Sequence, residues 1–207
     1  MDLKALDRQH IWHPYTQAKL NPETTPIVKG DGAWLIDEDG NRILDAVSSW
    51  WVNTHGHCNP HVVARITEQL QELEHSIFAG FTHPRAVELA SRLLPHMKDQ
   101  ARVFFSDNGS TAVEVALKMA FQYWHNKDVK RRQIVALEGA YHGDTFGAMS
   151  VSGRSAFSAP FEPWMFEVSH IPFPEPGQEE AAISAMKEAV ASGEVAAFIF
   201  EPLVQGV

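Results

Sequence analysis

Apolar side chains recur along this chain in two different ways, as short runs near the front and as strands alternating with helical stripes further back. Pro26-Ile27-Val28, Ala33-Trp34-Leu35-Ile36 and Arg42-Ile43-Leu44 are strand-like runs separated by Asp31-Gly32 and Asp39-Gly40-Asn41, the turn chemistry of a small antiparallel meander. Residues 1–25 carry little period and read as an irregular N-terminal arm tied down by Trp12. Pro60 to Leu73 sets Val63, Ile66, Leu70 and Leu73 on one stripe, and Pro84 to Met97 does the same with Val87, Ala90, Leu94 and Met97, so two amphipathic helices are predicted with those stripes inward. The uncharged connection Ile77-Phe78-Ala79-Gly80-Phe81-Thr82 reads as buried or facing another subunit.

Further back, Arg102-Val103-Phe104-Phe105 has strand character, and a helix follows the polar break at 106–110. Ala112, Val115, Ala116, Met119, Ala120 and Tyr123 are expected to face its core side, with Glu114 and Lys118 paired across one turn as its polar face. Gln133–Leu137 and Val195–Phe200 are apolar enough for buried strands. Glu179–Ser192 predicts a helix with Ile183, Met186 and Val190 inward, and Ser152–Gly177, rich in Pro, Phe and Ser, reads as a long surface excursion. The fold class is therefore α/β, a mostly parallel sheet flanked by helices behind a small N-terminal α+β segment, with the domain boundary placed between 1–58 and 59–207.

Composition narrows the function. With 207 residues, 44% hydrophobic and 21% charged, the chain matches a soluble globular protein. No run approaches the length of a membrane span, and the N-terminus lacks the apolar core of a signal peptide, so a cytoplasmic protein without a membrane partner is expected. A net charge of −9 argues against nucleic acid as a partner, and the one short basic run, Lys130-Arg131-Arg132, reads as a solvated helix end or loop. Cys58 is the single cysteine, which excludes an internal disulfide. His55, His57, Cys58 and His61 invite a metal reading, but they form one contiguous knot where zinc sites draw on two separated pairs, and no metal is expected.

The candidate chemistry sits at the predicted strand ends. A helix opening at Gly109 or Ser110 leaves its first N–H groups unpaired at the positive end of the helix dipole, an arrangement that suits phosphate as well as it suits an ordinary capped helix. The loop at 138–145 adds the ring of Tyr141 and the carboxylate of Asp144, and the segment after the last strand adds Glu201. In a doubly wound sheet such loops converge on one ligand, and a phosphorylated aromatic cofactor such as pyridoxal 5'-phosphate would use all of them. Trp50 and Trp51 cannot both face one core if extended, so one is expected to line a pocket.

Several segments carry a resemblance to a known family: DRQHIWHPYT at 7–16, SSWW at 48–51, HGHCNP at 55–60, FFSDNGSTAVEVALKMA at 104–120, YHGDTFGAMSV at 141–151 and IFEPLVQG at 199–206. Together they resemble the adenosylmethionine-dependent 8-amino-7-oxononanoate aminotransferases of biotin biosynthesis, class III aminotransferases of PLP fold type I. The phosphate-loop and YHGD elements are shared across class III, whereas HIWHPYT together with SSWW is narrower. The resemblance implies pyridoxal 5'-phosphate as cofactor, with Gly109 and Ser110 on its phosphate and Tyr141 stacked on its ring and bordering the substrate. Tyr15 and Trp50 would shape the pocket for 8-amino-7-oxononanoate and S-adenosylmethionine, and Trp51, His142, Asp144 and Glu201 match motif positions near the cofactor. Asp144 and Glu201 have a plainer alternative each, a hydrogen-bonded turn and a carboxylate satisfied by backbone. A homodimer is implied too. Transaminases that take glutamate through an arginine switch carry a second glutamate where this chain has Gly206, which favours an atypical amino donor.

The family's Schiff-base lysine and its pyridine-nitrogen aspartate lie past the EP segment. Lys4, Lys19, Lys29, Lys98, Lys118, Lys127, Lys130 and Lys187 match no such context, so the lysine is expected beyond Val207, no catalytic residue is expected within the chain, and the isolated chain is expected to be inactive. The resemblance thus covers the family's N-terminal half only. Two alternatives stay open: another class III ω-amino acid aminotransferase, and a non-catalytic half-chain subunit without the lysine.

Overall fold

The three short front runs pair as expected in the computed structural model, which describes residues 1–20 and 23–206. β1 (Ile27–Asp31), β2 (Trp34–Asp37) and β3 (Arg42–Leu44) form an antiparallel sheet in the order β1-β2-β3. Asp31 pairs with Trp34 across the tight turn at Gly32, whose φ of +58° is open to glycine without strain. By packing, residues Met1–Arg92 form one unit and Leu93–Val207 another. The helices α3 (Pro60–Glu72) and α4 (Pro84–Leu93) fall mainly in the first.

The first unit departs from the sequence reading in several places. Leu3–His10 is a helix, α1, capped by the Asp2 carboxylate on the Ala5 N–H at 3.0 Å; two turns are too few for a period to register. Trp12 does not tie the arm down, being 90% exposed. Asp7 does, accepting from His13 Nε2 at 2.9 Å and from the Thr24 hydroxyl at 3.0 Å. α3 starts at Pro60 as predicted, with the Asn59 oxygen capping the N–H groups of His61 and Val62. α4 gives way to a 3₁₀ turn at Leu94–His96, because Pro95 has no N–H to continue the ladder. The α3 stripe of Val63, Ile66 and Leu70 and the connection Ile77–Thr82 stand exposed rather than buried, since no described element covers them.

In the second unit three parallel strands run in the order β5-β4-β6, with β4 (Gln133–Leu137) central between β5 (Ser169–Ile171) and β6 (Val195–Ile199). β4 is continuously apolar because both of its faces are covered. Val135 and Leu137 join Ala140, Ile171 and Val195 under Ala185, Met186 and Ala189 of α7 (Glu179–Ala191). Ile134 and Ala136 point the other way, onto Val151 and onto Val113, Leu117 and Phe121 of α5 (Gly109–Asn126). Trp124 closes that helix against β6, its indole N–H donating to Ala196 O at 2.8 Å, and Arg131 stacks 4.2 Å from the same ring rather than being purely solvated.

Four predictions need correction here. α5 packs through Val113, Leu117, Phe121 and Trp124, while much of the stripe expected inward, including Ala112, Ala116, Met119 and Tyr123, is exposed; both sides are apolar, so spacing alone could not choose. α7 likewise turns Ala182, Ala185 and Met186 inward and leaves Ile183 and Val190 exposed. The excursion at 152–177 contains β5 and a 3₁₀ turn, Ala159–Trp164. Arg102–Phe105 forms no strand, for a strand exists only by its ladder and no described strand pairs with it. The short helix α6 (Phe146–Val151) is deeply buried and had no amphipathic signal, its inner residues being Gly147, Ala148, Ser150 and Val151.

Candidate active site

Because β4 and β6 run parallel, the loops after them leave from the same edge of the sheet, and the N-terminus of α5 meets the first of these loops. Asn108 caps α5 by accepting from the Thr111 N–H at 2.9 Å, while Thr111 Oγ1 accepts from the Asn108 N–H at 3.1 Å, a reciprocal capping box. The cap is thus made by Asn108 and Thr111, which leaves Ser110 for another task.

Ser110 Oγ accepts from the backbone N–H of Asp144 at 2.7 Å and of Thr145 at 3.4 Å. With its acceptor capacity used this way, the hydroxyl proton is left to donate outward. The approach is close enough to dictate a neighbour: Gly143 has φ +129°, and a Cβ there would lie 1.9 Å from Ser110 Oγ. One turn further along α5, Glu114 Oε1 accepts from the N–H groups of Gly147 at 2.7 Å and Ala148 at 3.2 Å. Glu114 therefore caps α6, not Lys118 as the spacing suggested, and two rungs of α5 hold the loop between β4 and α6.

That loop presents Tyr141, whose phenol O–H donates to Asp144 Oδ2 at 2.7 Å. Its backbone N–H donates to Glu201 Oε2 at 3.0 Å, and Glu201 Oε1 accepts from the Gly206 N–H at 2.7 Å. The glutamate after β6 thus binds backbone on both oxygens and fastens the loop after β4 to the loop after β6. Gln205 adds a second tie, donating to Glu138 O at 2.8 Å. His142 lies inward with its N–H on Ser152 Oγ at 2.8 Å. Burial holds its imidazole pKa below the ordinary value, opposed in part by the charge of Glu201, and among the described residues its buried Nε2 has no hydrogen-bond partner.

The start of α5 has the donors and the room for a phosphate. Among the described residues the N–H groups of Gly109 and Ser110 have no partner, and a Cβ at Gly109 would meet nothing within 4 Å, so an anion has room to approach. Ser110, Asp144, Tyr141 and Glu201 are brought together by direct bonds in the second unit. Tyr15, Trp50 and Trp51 belong to the first unit.

There the Tyr15 and Trp50 rings meet edge to face, with centroids 5.3 Å apart at 73°. Ser48–Trp51, here α2, is a turn of left-handed sense and not the extended segment that the paired-tryptophan reading assumed. Asp45 holds it through Ser49, and the Ser49 N–H and hydroxyl keep the Asp45 carboxyl below its usual pKa. His57 pairs with Asp45 at 2.8 Å and His55 Nδ1 contacts the Thr54 hydroxyl, which accounts for two members of the histidine knot. Sequence reasoning missed Glu114, Gly143, Gln205 and Asp45. Of these only Glu114 carried a usable signal, its i+4 spacing from Ser110 on the same helix face.

Residues 15–207 match the sequence pattern of the class-III aminotransferases. The chain is 53% identical over 206 residues to an adenosylmethionine-8-amino-7-oxononanoate aminotransferase of Synechococcus elongatus, covering 95% of this chain and 49% of that protein. A Geobacter sulfurreducens protein of the same name is 43% identical over 221 residues, covering 99% of this chain and 49% of its own length. Among solved structures, adenosylmethionine-8-amino-7-oxononanoate aminotransferase from Methanocaldococcus jannaschii superposes with a TM-score of 0.86 at 36% identity, over 95% of this chain and 45% of the other. The chain therefore spans about half the length of the curated relatives it matches.

Proposed function

The chain belongs to the class-III aminotransferase family, and from that premise we propose that it forms the phosphate-binding half of an enzyme that transaminates 8-amino-7-oxononanoate to 7,8-diaminononanoate with S-adenosylmethionine as amino donor, in biotin biosynthesis. The observation that carries the reading is the junction at the start of α5, where Ser110, Asp144 and Tyr141 are linked in series beside two unspent backbone N–H groups. Its narrower part is supported by relatives of that name and by HIWHPYT and SSWW standing together in one chain.

Pyridoxal 5'-phosphate, when bound, supplies the electron sink that makes a carbon bearing an amino group acidic. The chain's own residues do the rest of what this half contributes. The N–H groups of Gly109 and Ser110 and the Ser110 hydroxyl proton would hold the phosphate, aided by the positive end of the α5 dipole. Tyr141 would border the cofactor ring; its bond to Asp144 orients the phenol, and Glu201 holds the Tyr141 backbone. Tyr15, Trp50 and Trp51 are assigned to the substrate pocket. Residues 1–58 are assigned to the small N-terminal segment and 59–207 to the first part of the large domain of the complete enzyme. The lysine that moves the proton is assigned to the half of the relatives' length that this chain does not span. We place the enzyme in the cytoplasm as a homodimer; no described helix is long and apolar enough to cross a membrane.

The test is donor choice in the full-length polypeptide. Diaminononanoate should form from the amino-oxononanoate with S-adenosylmethionine and not with glutamate or alanine; product only with the latter two would refute the specific reading.

A further inference from the structure

Ser48, Ser49, Trp50 and Trp51 have φ values of 50°, 48°, 56° and 68°, a run of left-handed residues of which none is glycine. Each L side chain disfavours that conformation, because its Cβ crowds the following carbonyl, so a run of them persists only where the surroundings force it. Two backbone bonds help hold it, from the Trp51 N–H to Val47 O and from the Asn53 N–H to Ser48 O, both at 3.0 Å, and the side-chain grip on it comes from Asp45. Its side chain is 6% exposed, and each of its oxygens is engaged: Oδ1 accepts from the Ser49 N–H at 2.9 Å, while Oδ2 accepts from the Ser49 hydroxyl at 2.8 Å and pairs with His57 Nε2 at 2.8 Å. Its backbone oxygen accepts from the Ser48 N–H at 3.2 Å.

His57 is itself seated by the meander. Its backbone exchanges two hydrogen bonds with Gly32, at 2.7 and 3.2 Å. A Cβ at Gly30 would lie 2.6 Å from the His57 Cβ, so only glycine in β1 admits the ring's stem. A continuous path thus runs from the meander glycines through His57 and Asp45 to Ser49, within the left-handed turn whose Trp50 ring meets Tyr15 edge to face. Rewinding the turn to the right-handed sense would redirect both tryptophans.

We infer that Asp45, supported by His57, is the positioning residue for the Tyr15–Trp50 aromatic corner, and that it sets substrate selection without touching substrate. The inference rests on the proposed function in taking that corner as a wall of the substrate pocket, but its geometric half can be tested without it. In this chain labelled with 5-fluorotryptophan, the Trp50 fluorine signal, assigned by its loss in Trp50→Phe, should move on Tyr15→Leu. In an Asp45→Ala background the same Tyr15→Leu change should no longer move it; an undiminished shift overturns the proposal. Should Asp45→Ala fail to fold, Ser49→Ala, which keeps the backbone bond and removes the hydroxyl, should reduce the coupling, and full coupling there overturns it equally. In the full-length enzyme Asp45→Ala should raise KM for the amino-oxononanoate by ~10-fold, the scale of one lost good contact, while leaving pyridoxal phosphate affinity unchanged and kcat little altered. A merely structural role predicts a lower Tm with KM unmoved, and that result would overturn the positioning claim. Loss of turnover with S-adenosylmethionine in the unsubstituted enzyme would instead refute the proposed function and leave the fluorine result standing.

Discussion

Removing the Glu114 side chain should uncouple α6 from α5. Glu114 Oε1 accepts from the N–H groups of Gly147 and Ala148, two buried residues at the start of a helix whose first N–H groups have no intrahelical partner. Glu114→Ala leaves both donors without that acceptor. At ~1–3 kcal/mol for each buried group left unsatisfied, the loss lies between about 2 and 6 kcal/mol, and partial access of water to Glu114 favours the lower half of that range, ~3 kcal/mol. Glu114→Gln keeps a neutral acceptor oxygen of the same reach and should cost about 1 kcal/mol, the usual difference between a charged and a neutral acceptor. Urea denaturation followed by far-ultraviolet circular dichroism measures this directly. With a slope of ~2 kcal/mol per molar, Glu114→Ala should lower the midpoint by ~1.5 M and Glu114→Gln by ~0.5 M. Amide exchange should accelerate across 146–151 before the rest of the sheet. A midpoint unchanged in Glu114→Ala, or equal losses for Ala and Gln, would show that the carboxylate does not hold α6.

Other outcomes follow from the same loop and from the first unit. Gly143→Ala puts a methyl group where Ser110 Oγ stands, at φ +129°, and should cost ~2–3 kcal/mol by strain and displacement, together with weaker pyridoxal phosphate binding by equilibrium dialysis. The Asp45 carboxyl, held low chiefly by Ser49, binds fewer protons in the folded state than in the unfolded chain; its stabilisation is therefore full above the unfolded value of ~3.9 and is lost as pH falls through the folded one. The urea-midpoint gap between wild type and Asp45→Asn should stay constant from neutral pH to ~5 and close below ~4. His142, kept neutral by burial, works on a higher window: below its unfolded pKa of ~6.5 the unfolded chain takes a proton that the folded chain refuses, so stability falls as pH drops toward the folded value. His142→Gln should flatten that part of the pH profile, and an unchanged slope would place the titration elsewhere.

What the sequence made legible was the part governed by strong local rules. Pro60 and the polar break before Gly109 mark helix starts because proline and capping groups act within a turn, and β4 reads as buried because both faces of a central parallel strand are apolar. Ser110, Tyr141, Asp144 and Glu201 were singled out by motif, and the structure links them by hydrogen bonds. The inward side of α5 was not legible, since Val113-Leu117-Phe121 and Ala112-Ala116-Met119 are equally apolar and only the sheet decides between them. Nor was α6, whose small residues carry no periodic contrast, or β5, only three residues long within a Pro-rich stretch. The left-handed turn at Ser48–Trp51 had no local signal, because glycine, the usual marker of positive φ, is absent from it and Asp45 grips it from outside.

The account turns on a phosphate bound by the first turn of α5. In ¹⁵N-labelled chain titrated with pyridoxal 5'-phosphate, the amides of Gly109 and Ser110 should shift first, Tyr141 with them, and Ser110→Ala should weaken binding by ~10-fold, the worth of one charge-assisted hydrogen bond. Pyridoxal lacking the phosphate should fail to shift Gly109 and Ser110. Equal binding of the two compounds, or shifts confined to residues away from Gly109 and Ser110, would contradict it.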